Sequence, residues 1–587
     1  MRDAASSADS HVALTGLGYM RFHISPFAAA TACCSLFFAG ALTGQATVFV
    51  DVTATPPGNG SAANPFPSIG NAITAAISGA TVLVLPGTYV ETVVLHNKSL
   101  DIESRDGADV TIIDGGGAGT VMDIAGWTSP VVSHVAGFTL TNGSGHISML
   151  NGDPGGLAIN SATVSVTDCK IVNNVAGLGS AGGVSASGSD LTMVRCEVSN
   201  NSGGDTPSTK NGLLGRGGTG GVNFRGIGPN SMVSLTMLDC LVSGNSGGDG
   251  FTWIFWAGAG GAGGIDILNS GIAGGASTLT NCRIVGNVAG DGQNSGFGFG
   301  RGGSGGLGLM SAIADVLHCT VAENIGGTVT GGGGSLGAGG VQVVQLASSA
   351  SIANTILWGN RDAVGAGSQI EVVSGGATVT SSDVEGGFAG AGNIQANPAF
   401  RDAASGDYRL IATSPCIDTG DSAMPGLPPM DFEGDPRLVA SSVDIGADEA
   451  CLLGTDEGFD LESLVNGLGN PETCRKVVDT GDVVEFSISA PTNALLGSLG
   501  IGFLQFYASG TPSPILPLGL PTVHIDPSGS QTIYYSIGSL TTAGASLLAP
   551  IPAQLSGLTI RAQYFALSSA ANNGLFAATR AHDIEIQ

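Results

Sequence analysis

The stretch Asp168-Cys169-Lys170-Ile171-Val172-Asn173-Asn174 decides the fold, because its pattern returns along the chain. In each copy, an apolar residue follows the cysteine at the second position and an asparagine follows it at the fifth. The further copies are Cys196 to Asn201, Cys240 to Asn245, Cys282 to Asn287 and Cys319 to Asn324. If another residue is allowed at the cysteine position, the same six-residue pattern also fits residues 137–142 and 355–360. Such recurrence marks an internal structural repeat.

A glycine pair forms the second mark of the repeat, as in Gly182-Gly183-Val184. Between the marks lie short alternating segments such as Val164-Ser165-Val166-Thr167, which have the period of two that is typical of β-strands. The glycine pairs stand where the chain must turn sharply. Short strands joined by such turns and repeated in one register predict an all-β protein built as a parallel solenoid.

The repeated cysteines and asparagines are predicted to be structural. The cysteine and the apolar residue two positions later face the same side of a strand, which is the interior of a solenoid. No Cys-x-x-Cys occurs, so we expect a buried ladder of thiols rather than a metal or redox site, formed by Cys169, Cys196, Cys240, Cys282 and Cys319. At the strand ends, side-chain amides on rungs about 4.8 Å apart are expected to bond one another. This predicted ladder contains Asn142, Asn174, Asn201, Asn245, Asn287, Asn324 and Asn360.

The composition excludes several classes of protein. Of 587 residues, 97 are glycine, yet no Gly-X-Y period runs through the chain, and 42% of residues are hydrophobic; collagen and a disordered linker are therefore excluded. The formal net charge of −27 argues against binding nucleic acid or an anionic bilayer. It would also repel an acidic polymer unless cations intervened.

The N-terminus resembles an export signal. Met20 and Arg21 precede an apolar run over residues 27–42, and Gly44-Gln45-Ala46 supplies small residues at a cleavage site. We predict cleavage after Ala46, with residues 1–19 as an upstream extension, and a secreted or cell-surface protein. A membrane anchor is the alternative, which we disfavour because the run is shorter than the 18 or more residues that a span needs.

Three consecutive repeats carry long glycine-rich insertions, at residues 202–219, 246–262 and 288–304. We expect mobile loops on one edge of the solenoid, and this edge is the candidate binding face. Its candidate residues are Asp205, Arg216, Asp249, Trp253, Phe255, Trp256, Asp291 and Arg301. The aromatic group would stack on sugars or else pack on the solenoid. No cofactor is predicted; Ca²⁺ would suit the aspartates, but without Asp-x-Asp-x-Asp spacing we interpret them as turn residues.

A catalytic signature is not visible in the repeats. A lyase or glycosidase on such a solenoid needs close carboxylates or a basic residue on adjacent strands, and those positions hold Thr, Ser, Asn, Gly and apolar residues. His318 occupies the position before a repeat cysteine, where Asp168, Arg195, Asp239 and Asn281 also occur. We interpret this variable position as a solvated, outward strand position.

The flanking segments complete the predicted organisation. Ile69, Ile73 and Ile77 form an apolar helical stripe after a Ser68 N-cap, and such a helix would cover the open end of a solenoid over residues 47–392. Residues 393–450 are predicted to be a further segment after the solenoid, and residues 455–587 a small β-sandwich-like domain. Cys451 and Cys474 are the predicted disulfide.

Several of these segments resemble known families. Residues 81–95 look like the opening coil of right-handed parallel β-helices of the pectin-lyase-like superfamily, and the Ile/Val-x-x-Asn plus Gly-Gly repeat resembles that of polymorphic outer-membrane proteins. Three segments are similar to the choice-of-anchor Q domain: Asn397-Pro398-Ala399-Phe400, Asp431-Phe432-Glu433-Gly434-Asp435-Pro436-Arg437 and Val443-Asp444-Ile445-Gly446-Ala447-Asp448-Glu449. This resemblance implies that residues 393–450 form a cap that closes the β-helix. Residues 573–587 look like a C-terminal β module of secreted planctomycete proteins.

These resemblances imply a right-handed β-helix that works on a cell surface. The leading hypothesis is a non-catalytic structural or binding module, with a polysaccharide or another surface component as partner. The alternative is a polysaccharide lyase or glycoside hydrolase with an unfamiliar site built from Asp205, Asp249 and Asp291 with Arg216 or Arg301. The fold does not decide between them, because lyases, glycosidases and adhesins share it.

Overall fold

In the computed structural model, the described residues are 47–145, 152–206, 215–226, 233–251, 258–268, 277–294, 300–331, 333–438, 442–450, 461–467, 473–488, 495–509, 524–525, 531–542, 544–571 and 575–587. All of the described residues belong to one compact unit. No helix among the described residues is long and apolar enough to cross a membrane.

Three parallel sheets wrap around one hydrophobic core, and each coil of the chain adds one strand to each sheet. Sheet 1 contains Val93–His96, Met122–Ala125, Leu157–Asn160, Val184–Ser187, Val222–Arg225, Ile265–Leu268, Leu307–Met310, Val341–Val344 and Ile370–Val372. Sheet 2 contains Thr47–Val50, Thr81–Val84, Asp101–Ser104, Val132–Ala136, Thr163–Thr167, Asp190–Val194, Leu235–Leu238, Ser277–Thr280, Ile313–Leu317, Ser349–Ala353 and Gly376–Thr380. Sheet 3 contains Gly87–Val90, Thr111–Asp114, Thr139–Thr141, Lys170–Val172, Glu197–Ser199, Leu241–Ser243, Arg283–Val285, Thr320–Ala322, Ile356–Trp358 and Asp383–Val384. The predicted parallel β-helix is confirmed.

The register of the sheets follows from the alternating pattern. Val164 pairs with Leu191, and Leu191 pairs with Leu235, so apolar side chains stack inside the helix rung upon rung. Ser165 pairs with Thr192 on the outer face. A slip by one residue would turn every apolar side chain outward, and the core therefore fixes the register.

The residue before each cysteine is a corner, not the outward strand position that the sequence predicts. Asp168, Arg195, Asp239, Asn281 and His318 all adopt left-handed backbone conformations, with φ between 50° and 55°. Asn281 and His318 are also buried, because residues 398–438 and 442–450, here called the closing segment, cover this corner. The Asn281 Nδ2 donates to the Met430 carbonyl at 2.7 Å.

The asparagine ladder is present over six rungs. Each side chain donates from Nδ2 to the Oδ1 of the next at 2.9–3.0 Å, through Asn174, Asn201, Asn245, Asn287, Asn324 and Asn360. Each Oδ1 from Asn201 onward also accepts the backbone N–H of the preceding ladder residue. The buried amides are thus joined in a chain of cooperative hydrogen bonds.

Asn142 does not belong to this ladder, so that prediction is wrong by one residue. Leu140 pairs with Ile171, which aligns Asn142 with the corner residue Asn173. Asn142 has a φ of 56°, and its Nδ2 donates to the Asp114 Oδ1 at 2.8 Å. Gly143 holds the ladder position, and its backbone N–H donates to the Asn174 Oδ1.

The five repeat cysteines are free and buried, as the ladder interpretation requires. Their thiols donate to backbone carbonyls of the preceding coil, for example Cys196 to Val166 at 3.3 Å and Cys240 to Met193 at 3.5 Å. Burial raises the pKa of the Cys169 thiol well above its usual range. These cysteines therefore act as small core residues.

The helix Ile69–Ala75 caps the N-terminal end of the β-helix, and the Ser68 hydroxyl accepts the Asn71 N–H at its start. The Glu91 carboxylate accepts two further N–H groups in the first turn of this helix. The Lys98 ammonium donates to carbonyl groups in its last turn. Ile77, which the predicted stripe includes, is 69% exposed because the helix ends before it.

The closing segment contains the antiparallel pair Phe400–Asp402 and Asp407–Leu410 and the 3₁₀ turn Ala403–Ser405. After it, two sheets share a second core. One contains Leu461–Val465, Val483–Ile488 and Ala545–Pro550; the other contains Arg475–Val478, His582–Ile586, Leu558–Leu567, Leu499–Ala508, Thr532–Ser539 and Phe576–Ala578, with the 3₁₀ turn Ala553–Leu555 nearby. This arrangement is the expected β-sandwich-like domain.

Cys474 is disulfide-bonded, and Cys416 is free. Cys451, its predicted partner, lies outside the described residues, so this pairing stays a prediction.

Candidate functional site

The glycine-rich insertions form an ordered double layer, here called the glycine wing: residues 203–206, 215–219, 247–251, 258–262, 289–294, 300–304, 326–331 and 333–338. Outgoing strands make one layer and returning strands the other. Gly218 donates to the Gly204 carbonyl at 2.9 Å, Gly248 to Gly218 at 2.8 Å, and Gly261 to Gly248 at 2.9 Å. The same zigzag continues through Gly290, Gly303, Gly327 and Gly337.

Side chains cannot enter between the two layers. A Cβ on Gly260 would lie 1.8 Å from the Gly290 carbonyl oxygen in the facing layer, and one on Gly217 would lie 1.7 Å from that of Gly248. Close backbone packing of this kind needs glycine, as at the axis of collagen. The described parts of these insertions are therefore packed and hydrogen-bonded, which corrects the expectation of mobile loops.

The three candidate aspartates lie on neighbouring rungs of the outgoing layer. The Asp205 Oδ1 accepts the Asp249 backbone N–H, the Asp249 Oδ1 accepts that of Asp291, and the Asp291 Oδ1 accepts that of Thr328, each at 2.8 Å. Each carboxylate thus binds the backbone of the next rung. The described residues contain no group of three or more His, Cys, Asp or Glu side chains that could hold a metal ion.

The two candidate arginines extend from the returning layer toward sheet 1. Arg216 forms an ion pair with Asp266, a buried residue of sheet 1 that the sequence analysis missed. Burial raises the pKa of Asp266, and Arg216 counteracts it. The Arg301 Nε donates to the Ser335 hydroxyl at 3.3 Å, and burial lowers its pKa. Asp266 pairs with Asn223 and Gly308 on the neighbouring rungs, so its signal in the sequence was an acidic residue between two uncharged ones.

The candidate aromatic residues Trp253, Phe255 and Trp256 lie outside the described residues. The wing strands on either side of residues 252–257 are described. In the returning layer, Arg216 pairs with Ala259, and Ala259 pairs with Arg301. The three insertions therefore return on adjacent rungs of one wing, which brings Asp205, Asp249 and Asp291 together and leaves the arginines two rungs apart.

A second polar cluster, which the sequence analysis did not propose as a site, lies under the closing segment. Arg437 is 1% exposed, and its Nη2 donates to the His318 Nδ1 at 2.8 Å and to the carbonyls of Asp444 and Gly446. Burial, and secondly Arg437, lowers the pKa of His318 to about 3, so this imidazole is neutral. The cluster fastens the closing segment to the β-helix.

Buried carboxylates surround this arginine. The Asp431 Oδ1 accepts the backbone N–H groups of Glu433, Gly434 and Asp435, and its Oδ2 accepts that of Glu449. Burial and the neighbouring Asp435 raise the pKa of Asp431. The signal for these buried carboxylates in the sequence was the motif that runs from Asp431 to Glu449. Its spacing places the acidic residues in one turn-rich segment.

A cleft of about 790 Å³ separates the closing segment from sheet 3. Its walls include Leu241, Met430 and Arg283, whose guanidinium lies 3.4 Å from the centroid of the Phe432 ring. Burial lowers the pKa of Arg283. The cleft thus combines apolar walls with three cations, Lys170, Arg195 and Arg283, and with carboxylates such as Glu197 and Asp239.

Asp435 links the closing segment to the C-terminal domain and gives a test by pH. Its Oδ1 accepts the Cys474 N–H at 2.9 Å, and burial raises its pKa to about 6. The unfolded carboxyl titrates near 3.9, so the folded state holds the proton longer, and stability falls as the pH rises from about 4 to about 6. Asp435→Asn keeps an acceptor but cannot ionise. We expect it to reduce the pH dependence of the unfolding free energy in this window by up to about 1.4 kcal/mol per pH unit, measured by urea titration.

The control for this test is Asp109→Asn, since Asp109 is 81% exposed at its side chain. Its pH profile should follow that of the unmodified protein. A profile of Asp435→Asn that also matched the unmodified protein between pH 4 and pH 6 would contradict the assignment.

The chain matches no protein-family model and no curated protein. Among solved structures, it is similar to a rhamnogalacturonan lyase, at 13% identity and a TM-score of 0.26, over 56% of this chain and 90% of that one. It is also similar to a pectin methylesterase in complex with a hexasaccharide, at 12% identity and a TM-score of 0.24, over 61% and 94%. Both are pectin-lyase-like β-helix proteins, and similarity at this level concerns the fold alone.

Proposed function

We propose that the chain is an exported, non-catalytic β-helix protein that serves as a structural or binding module at the cell surface. The observation that carries this proposal is the bonding of the wing carboxylates: Asp205, Asp249 and Asp291 each accept a backbone N–H of the next rung. Each carboxylate therefore has a structural role in joining two rungs of the wing, which supports a structural or binding module over an active site built from these aspartates.

The ligand that we propose is a carbohydrate or another surface component bound at the outer edge of the wing. The wing is preorganised by its two-layered hydrogen bonding, and a rigid support favours binding because less ordering is needed. Segment 252–257 contributes Trp253, Phe255 and Trp256 between two described wing strands. Aromatic side chains of this kind supply large contact areas.

Export and attachment are part of the same proposal. The apolar run before Ala46 supports export, and the resemblance of residues 393–449 to a choice-of-anchor region supports attachment to the surface. We propose that the protein acts there without a cofactor, and that Ca²⁺ at the wing aspartates is not required.

A glycan array tests the binding role. We expect the full chain to bind a subset of glycans, and the double variant Trp253→Ala/Trp256→Ala to lose about tenfold or more in affinity because its stacking surface is removed. Tyr534→Ala is the matched control, since Tyr534 is an exposed aromatic residue of the C-terminal domain. Unchanged binding by the double variant would exclude the wing as the site.

The enzymatic alternative makes a different prediction. A lyase or hydrolase would release unsaturated products or new reducing ends from a polysaccharide, and Asp249→Asn would abolish this release while its amide oxygen could still accept the Asp291 N–H. Under the non-catalytic proposal no such product appears with the unmodified protein.

A further inference from the structure

Trp127 is an exposed indole at the other edge of sheet 1 from the wing. It lies in the turn that connects the strand Met122–Ala125 of sheet 1 to Val132–Ala136 of sheet 2, whereas the wing insertions connect sheet 3 to sheet 1. Its surface is 61% exposed. Tryptophan is usually well buried, so an indole this exposed indicates a contact surface.

One side of the indole rests on an imidazole. The ring centroids of Trp127 and His96 are 4.5 Å apart, with an angle of 51° between the planes. The His96 Nε2 lies 2.7 Å from the Asp123 Oδ2, and both side chains are 28% exposed. The carboxylate favours the proton on Nε2, which leaves Nδ1 as an acceptor in the neutral ring. This Nδ1 has no partner among the described residues.

The turn that presents the indole is fixed by backbone contacts. The Thr128 N–H donates to the Asn97 Oδ1 at 2.7 Å, and the Gly126 N–H donates to the Asn160 carbonyl at 2.9 Å. The Asn97 N–H in turn donates to the Ala125 carbonyl at 2.7 Å. The indole and the His96–Asp123 pair are therefore held in place before any ligand arrives.

Three kinds of group meet here, and together they fit a sugar. An open aromatic face suits the flat C–H face of a pyranose, and the imidazole nitrogen accepts a hydroxyl. Asp123 orients this imidazole through its Oδ2, whereas its Oδ1 is buried and faces no ligand. The Asp123 carboxylate and the net charge of −27 disfavour uronates. Equatorial substituents in β-1,4-linked sugars leave the ring faces free to stack.

We propose that Trp127, His96 and Asp123 form a binding site for neutral β-1,4-linked oligosaccharides. The site is separate from the wing and does not depend on the function proposed for it. Sugar rings stack on Trp127 while a hydroxyl group donates to the His96 Nδ1, and Asp123 holds the imidazole in position as a positioning residue.

The test uses cellohexaose, xylohexaose and chitohexaose as probes, with trigalacturonate as the acidic comparison, each titrated into the full chain by calorimetry. We expect at least one neutral probe to bind more tightly than trigalacturonate. Trp127→Ala should lower its affinity about tenfold or more, and Trp127→Phe should lower it less. Asp123→Asn should weaken binding, because it removes the carboxylate that orients His96.

Val132→Ala is the control, because Val132 is a similarly exposed apolar residue in the next strand. Circular dichroism establishes that each variant is folded. The proposal is overturned if no neutral probe binds the unmodified protein, or if Trp127→Ala binds as tightly as Val132→Ala. Binding that is lost only in Trp253→Ala/Trp256→Ala also overturns it, and this outcome would support the wing as the site instead.

Discussion

Asn245→Ala is expected to destabilise the β-helix by about 4 kcal/mol, the sum of several buried groups left without partners. The Asn245 Nδ2 donates to the Val198 carbonyl at 2.8 Å and to the Asn287 Oδ1 at 2.9 Å. Its Oδ1 accepts both the backbone and the side-chain N–H of Asn201 at 3.0 Å. Alanine removes all four bonds where water cannot replace them. Urea-induced unfolding measures the loss.

Asn142→Ala is the control for the ladder, since Asn142 has the same residue type at a corner. Its side chain makes one bond, to Asp114 at an exposed site, and alanine tolerates its φ of 56° less well than asparagine does. We therefore expect a loss of about 1–2 kcal/mol, well below that of Asn245→Ala. Equal losses for Asn142→Ala and Asn245→Ala would contradict the alignment that places Gly143, rather than Asn142, at the ladder position.

Gly290→Ala is expected to disrupt the wing and to destabilise the protein by about 3 kcal/mol or more, because the added Cβ meets backbone that cannot move aside. That Cβ would lie 1.9 Å from the Gly248 carbonyl oxygen and 2.4 Å from its carbon. Hydrogen exchange should show loss of protection first in residues 289–294 and 258–262, with sheet 2 protected for longer.

Gly119→Ala is the matched control, because a Cβ at Gly119 meets nothing within 4 Å. At such a position, alanine reduces the freedom of the unfolded chain and is expected to be neutral or stabilising by up to about 1 kcal/mol. A Gly290→Ala variant as stable as Gly119→Ala would show that neighbouring outgoing strands of the wing are not packed as closely as Gly248 and Gly290 are here.

The core of the fold could be predicted from the sequence because its signal is local and repeated. Val164, Cys169 and Ile171 recur at fixed positions, and alternation assigns each to the interior. The Asn142 error arose because corner and ladder positions adjoin, and both accept asparagine. Only the pairing of Leu140 with Ile171 separates them.

The candidate site was predicted less completely, for two physical reasons. Strands are recognised in a sequence by the alternation of apolar and polar side chains, and glycine has no side chain to alternate. The two packed layers formed by Gly248, Gly261 and Gly290 therefore cannot be distinguished from mobile loops by their sequence. The burial of His318 depends on Arg437, which is 119 residues away in sequence. A contact of that range has no local signal.

The two layers of the wing restrict where its sequence can vary. Where a Cβ would strike facing backbone, substitution is prevented, so wing strands such as 247–251 and 258–262 cannot acquire new binding groups between the layers. Any change in specificity at this edge must therefore arise in the intervening segments, such as 252–257, or in their length. The wing is therefore a fixed framework that carries variable segments. Libraries of binders could be built by randomising those segments while the glycines of the wing strands are retained.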